Sequence, residues 1–242
     1  MRVKMTLSYD GSHFYGFQVQ NSGVKTVANR LYEVFHSLGI EEHFEASGRT
    51  DRGVHATGQV LSIDIPSFWH NDLERLRMHI NRKALPHIYI HKIEKVSSSF
   101  HARYDARKRA YRYLISDHEP NVFLTPYCLF TKRFDAEAIH KAVKLFEGEH
   151  DFTLFAKTGS DTTDFVRTIY RARFYQKGAN YIFSFEANGY LRSQIRLMVA
   201  FLLKIGYGLA DSKDLQKQLK CERMIVRNPV APNGLYLTRI WY

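Results

Sequence analysis

The stretch Ser47-Gly48-Arg49-Thr50-Asp51-Arg52-Gly53-Val54-His55-Ala56 leads into the alternating run Val60-Leu61-Ser62-Ile63-Asp64-Ile65-Pro66. Leu61, Ile63 and Ile65 oppose Val60, Ser62 and Asp64, which is the two-residue period of a strand, and Pro66 ends it. Before that strand, Gly48 and Gly53 bracket four polar residues. Glycine permits backbone angles and close approaches that other residues resist. A carboxylate offered from such a turn stands at the edge of a sheet on a rigid support. Arg49 and Arg52 flank it. A neighbouring guanidinium favours the ionised carboxylate and lowers its pKa. That suits a nucleophile or an electrostatic role better than a proton donor. The arginines can reach phosphates or take the place of a displaced base in a stack. The competing reading is a surface turn with a structural Arg–Asp pair, and residue types alone leave both open.

Outward from this turn, strands and helices alternate. Val3, Met5, Leu7 and Tyr9 share one face of an opening strand, and a glycine-bearing loop over residues 10–18 follows. Thr26 is placed to cap a helix carrying Val27, Leu31, Val34, Phe35 and Leu38. A second helix carries Leu73, Leu76 and Ile80, and a strand spans Ile88 to Ile93. In the second half, strands are expected at 107–115, 167–175, 181–187 and 235–242. An Asp135-capped helix carries Ile139, Ala142, Val143 and Phe146. A strongly apolar helix runs from Leu191 past Leu202 to Gly206, and a short polar one covers 211–219. This mixture predicts an α+β fold with largely antiparallel sheet, in two halves, 1–104 and 105–242.

Bulk properties narrow the function classes. Lys+Arg number 35 against 24 Asp+Glu, a net charge of +11. A folded chain this basic often binds a polyanion, because neutralising phosphates releases condensed counterions. The 15 Tyr and 17 Phe include rings that can stack on unpaired bases, although most must be core. No apolar run approaches the roughly 18 residues of a membrane helix. The opening Met1–Thr6 is not that of a signal peptide. Two cysteines, Cys128 and Cys221, are too few for a disulfide framework or a zinc knuckle, so a cytoplasmic location is expected. His55, His101 and His150 have no metal-ligand spacing and read as structural hydrogen-bonding groups.

The string GRTDRGVHA, Gly48 to Ala56, resembles the GRTDxGVHA signature of the TruA family of tRNA pseudouridine synthases. Tyr9 to Gln18 resembles that family's opening YDGxxFxGWQ. Phe100-His101-Ala102-Arg103 followed by Tyr111-Arg112-Tyr113 resembles FHAR…YRY, Phe146 to Phe152 resembles FxGxHDF, and Ala231 to Leu237 resembles AP…GLYL. The motifs keep family order and cover almost the whole chain. Two positions depart: Phe17 replaces a tryptophan, and Gln194 stands where FLxxMVR carries methionine.

The resemblance implies a pseudouridine synthase fold, with two α/β-sandwich-like halves whose sheets adjoin around a basic cleft. It implies isomerisation of uridine at positions 38–40 of the tRNA anticodon arm by a homodimer, with no cofactor and no metal. Asp51 would be the catalytic carboxylate. Arg49 would pair with it and assist base extrusion. Tyr111 would stack on the uracil and exchange a proton. Arg196 would sit at the cleft, Leu235 would pack beneath the base, and Arg52 and Phe17 would contact substrate. A non-catalytic RNA-binding protein is the alternative, although no RNP1 string occurs. A metal-dependent nuclease would need clustered carboxylates where the glycine turn offers one.

Overall fold

The computed structural model describes residues 1–20, 23–157 and 163–242. The chain forms two compact units, one of Met1–Arg107 with Tyr236–Tyr242 and one of Lys108–Leu235. It is a mixed α+β fold whose strand pairs are mostly antiparallel.

In the first unit, β1 (Arg2–Tyr9) lies between β3 (His55–Asp64) and β4 (Ile88–Lys95), antiparallel to both. The two-residue β2 (Glu45–Ala46) joins the same strand β3. Val3, Met5, Leu7 and Tyr9 are buried on one face of β1, while the intervening residues are half-buried. Burying each such side chain stabilises the fold by roughly 1.5–3 kcal/mol. Two helices belong to this unit, α1 (Val27–His36) and α2 (Leu73–Ala84). Their starts are local chemistry: Thr26 Oγ1 accepts from the Asn29 N–H, and Asp72 accepts from the Arg75 N–H. The final strand of the chain, β10 (Leu235–Trp241), pairs parallel with β3, setting Tyr236 opposite His55 and Leu237 opposite Ala56. The last seven residues therefore return to the unit that holds the start of the chain.

The second unit has the antiparallel order β5 (Lys108–Ser116), β9 (Asn180–Ala187), β8 (Val166–Lys177), β7 (Gly148–Asp151), with the short β6 (Leu129–Phe130) parallel to β5. Helices α3 (Ala136–Val143) and α4 (Gln194–Gly206) pack together, and α5 (Ser212–Leu219) follows with an Asp211/Asp214 capping box. The core of this unit is aromatic: Tyr113, Phe146, Phe152, Phe155, Phe183, Phe185 and Phe201 are all fully buried.

Two details differ from the sequence reading. The helix expected from Leu191 starts at Gln194, because Ser193 takes a left-handed conformation (φ 60°) that breaks the helix there. The helix expected to carry Phe146 ends at Val143, with Phe146 in the single tighter turn that follows and Gly148 opening β7, since the chain pairs with β8 immediately after turning. None of the helices among the described residues is long and apolar enough to cross a membrane.

Candidate active site

The turn that carries Asp51 is held from beneath by main-chain and side-chain contacts within the first unit. Thr50, next to Asp51, is buried, and its Oγ1 lies 2.8 Å from the hydroxyl of Tyr9. The Thr50 carbonyl accepts from the Phe17 N–H at 3.1 Å, and the Asp51 carbonyl accepts from the Val54 N–H at 3.1 Å. Gln59, fully buried on β3, donates to the Gly48 carbonyl at 2.7 Å. Gly53 has φ 75°, the left-handed region that lets the chain turn from Asp51 into β3 without a Cβ clash. The result is a half-exposed Asp51 side chain on a pinned backbone. Preorganised placement of a charged group is what catalysis by a single carboxylate needs.

The loop over residues 11–18 forms the other wall of this support. Gly16 has φ 97°, and a Cβ there would stand 3.1 Å from the Thr50 carbonyl oxygen. Gly11 approaches closer still, since a Cβ would meet the Val54 carbonyl oxygen at 2.0 Å. The Gly11 N–H donates to Nδ1 of the buried His55 at 3.0 Å, and the His55 ring stacks on Tyr236 at 4.8 Å. The glycines of the opening motif are thus explained by close backbone approach to the acidic turn.

The other residues singled out from sequence take different environments. Arg49 and Arg52 are exposed. The Arg52 guanidinium lies over the Tyr15 ring, 4.2 Å from its centroid. Phe17 is buried, 4% exposed, with Tyr9 at 6.0 Å and Phe44 at 6.3 Å between ring centroids. It is packed as core beneath the turn, where an aromatic replaces the tryptophan of the resembling motif.

In the second unit, Tyr111 on β5 is 7% exposed, and the Tyr190 ring meets it edge-on at 5.2 Å and 80°. The Tyr190 hydroxyl is buried without a hydrogen-bond partner among the described residues. Burial pushes its pKa well above the ordinary tyrosine value, and the neighbouring Tyr111 and Glu186 add to the shift. Tyr190 opens the segment Tyr190-Leu191-Arg192-Ser193-Gln194-Ile195-Arg196, which is similar to FLxxMVR, and that likeness is the sequence signal for it. Arg196 on α4 donates through Nε to the Val230 carbonyl at 2.7 Å, so its side chain is aimed by the segment that precedes β10. Leu235 is buried. Gln194, the other departure, is fully buried, and its Oε1 accepts from the Leu191 N–H at 2.8 Å. It closes the turn that sets up α4.

The three histidines behave as structural groups. His55 accepts from Gly11, His101 Nδ1 accepts from the Arg103 and Tyr104 N–H groups, and His150 Nε2 lies 3.1 Å from the Glu147 carbonyl.

The acid thus stands on a braced glycine turn in a strongly basic α+β chain. The family profile described as tRNA pseudouridine synthase matches residues 5–105 and 142–242. The chain belongs to the tRNA pseudouridine synthase family. It is 37% identical over 244 residues to the tRNA pseudouridine synthase A of Helicobacter hepaticus, covering 99% of this chain and 98% of that one. It is 38% identical over 242 residues to that of Campylobacter jejuni, with both chains covered in full. It is 35% identical over 243 residues to that of Helicobacter pylori, covering 99% and 98%. Among solved structures, a Cbf5–Nop10–Gar1 complex aligns with 83% of this chain and 45% of that chain, at 13% identity and a TM-score of 0.36.

Proposed function

We propose that this protein isomerises uridine to pseudouridine in the anticodon arm of tRNA, at positions 38–40, with Asp51 as the catalytic carboxylate. The observation that carries the reading is the bracing of the Asp51 turn by Thr50, Tyr9 and Gly16, inside a motif that matches the family signature. The carboxylate of Asp51 attacks the target nucleoside and the bond from N1 of uracil to C1′ breaks. The uracil turns, C5 bonds to C1′ as the bond to Asp51 breaks, the proton on C5 is lost to a general base, and N1, released from the sugar, takes up a proton. Atoms balance without an oxidant, a reductant or a water consumed.

Extruding the base costs a few kcal/mol, which inserted or stacked side chains offset. The exposed Arg49 and Arg52 suit that role and contact with phosphates. The Tyr111 ring, fixed edge-on by Tyr190, supplies a stacking surface for uracil and a hydroxyl for the C5 proton. Arg196 contacts the nucleotide and Leu235 packs under the base. The +11 charge suits a substrate of tRNA size. The protein works as a cytoplasmic homodimer in this reading.

The test is incubation of the purified chain with unmodified tRNA transcript, followed by mapping of pseudouridine. Wild type modifies the anticodon arm. Asp51→Asn binds the same RNA within a few-fold of wild-type affinity and forms no pseudouridine. Turnover in that variant near the wild-type rate would remove Asp51 from the chemistry.

A further inference from the structure

We propose that Asp10, His13 and His87 form a binding site for a zinc-type divalent ion, separate from the uridine chemistry. One ligand atom from each of the three lies within 4.8 Å of the others. Asp10 Oδ2 and His13 Nε2 are 3.6 Å apart. Two donors at zinc bonding distances of about 2.1 Å, at a tetrahedral angle, stand about 3.4 Å from each other. The separation found is therefore already that of two ligands on one ion. Two imidazoles and a carboxylate form a ligand set zinc uses, with water filling the fourth position.

The donors are also oriented before any ion arrives. Asp10 caps the short turn Gly11–His13, and its Oδ1 accepts from the Ser12 N–H at 3.0 Å and the Ser12 hydroxyl at 2.6 Å. Oδ1 also lies 3.3 Å from Nδ1 of His55, and Oδ2 faces Nε2 of His13. The His13 and His87 rings stack at 3.8 Å, and the buried Phe14 ring meets His87 edge-on at 6.2 Å. The main chains are tied as well, since the Asp10 N–H donates to the His87 carbonyl at 2.9 Å. Fixed ligands lose little freedom on binding, which is how outer contacts raise metal affinity. Stacking of two neutral rings would account for His13 and His87 alone.

An ion here would bridge the loop that begins at Asp10 and the segment before β4. Gly16 of that same loop braces Thr50, so the ion would stiffen the support of the acidic turn.

The test uses the full chain, stripped with chelator and titrated with ZnCl2 by calorimetry. Co2+ absorption serves as a reporter of geometry. The expected result is one ion per chain, tetrahedral-type Co2+ bands, and a rise in melting temperature with zinc. Loss of even an outer-shell partner costs about 10–100-fold in affinity. His13→Asn and His87→Asn should each lose at least that, while His43→Asn matches wild type. His13 is half exposed, so His13→Asn should keep the metal-free melting temperature and decides the question if His87→Asn does not fold. Absence of saturable zinc binding in wild type, or binding that persists in a His13→Asn/His87→Asn double variant, would overturn the site.

Discussion

The hydroxyl of Tyr9 and Oγ1 of Thr50 lie 2.8 Å apart in the interior of the first unit, across 41 residues of sequence. Tyr9 is the last residue of β1, and Thr50 is the residue before Asp51. The bond therefore links the core sheet directly to the backbone that presents the carboxylate. Because both partners are buried, neither can exchange the bond for water without a cost.

Replacing Tyr9 by Phe strands the Thr50 hydroxyl. Leaving a buried group unsatisfied costs about 1–3 kcal/mol. Denaturant unfolding of Tyr9→Phe should show that loss, and pseudouridine formation should slow at saturating tRNA because the Asp51 turn loosens. Wild-type values for both quantities would show that the turn is held by other contacts.

Gly16→Ala tests the other brace. Alanine at φ 97° is strained, and its Cβ would press to 3.1 Å from the Thr50 carbonyl oxygen. Strain of this type costs about 1–3 kcal/mol. At about 2–4 °C per kcal/mol for a domain of this size, the melting temperature should fall by several degrees. Turnover should fall with it while tRNA affinity is held, because the displaced element is the backbone beneath Asp51. A variant with unchanged melting temperature would mean the loop relaxes away from the turn.

Gln218 is fully buried on α5 and serves four backbone groups. Its Nε2 donates to the carbonyls of Leu154 and Val226, and its Oε1 accepts from the Ile225 and Val226 N–H groups. Gln218→Leu keeps the volume but leaves these groups unpaired. The expected loss exceeds the roughly 1–3 kcal/mol of a single stranded group. Hydrogen exchange at Ile225 and Val226 should accelerate. Protection equal to wild type at those amides would count against the bonding seen here.

Glu147 gives a pH signature. Burial pushes its pKa up, but the Ala172 N–H at 2.8 Å and Lys144 at 2.7 Å outweigh this, and the net value lies below the ordinary glutamate range. A carboxyl depressed in the folded state binds protons less readily there than in the unfolded chain. Its stabilising effect is present above the unfolded value and is lost as pH falls through the folded one. Glu147→Gln should therefore be less stable than wild type near neutrality, with the gap closing in acid. Urea midpoints measured across that range check it, and a gap independent of pH would contradict it.

The local signals in the chain were legible because their causes are local. The alternation Val3–Tyr9 reports a face of β1, and the caps Thr26 and Asp135 act within three residues of themselves. The GRTDRGVHA string located the acidic turn, and the order of motifs along the chain pointed to the family. The Ser193 break was less visible. A left-handed serine is uncommon, and nothing in its residue type separates it from the helix that follows.

By itself, the sequence determined which segments are strands and helices, the basic character of the protein, and the identity of the turn residues. These depend on side-chain period, capping and charge, all of which operate over a few residues or over the whole composition. Only the tertiary structure decided that Phe17 is core under the turn, that β10 returns to pair with β3, and that Asp10, His13 and His87 share one place. Those relationships join residues that are far apart in the chain, and they exist only where burial of apolar faces has brought the backbones together.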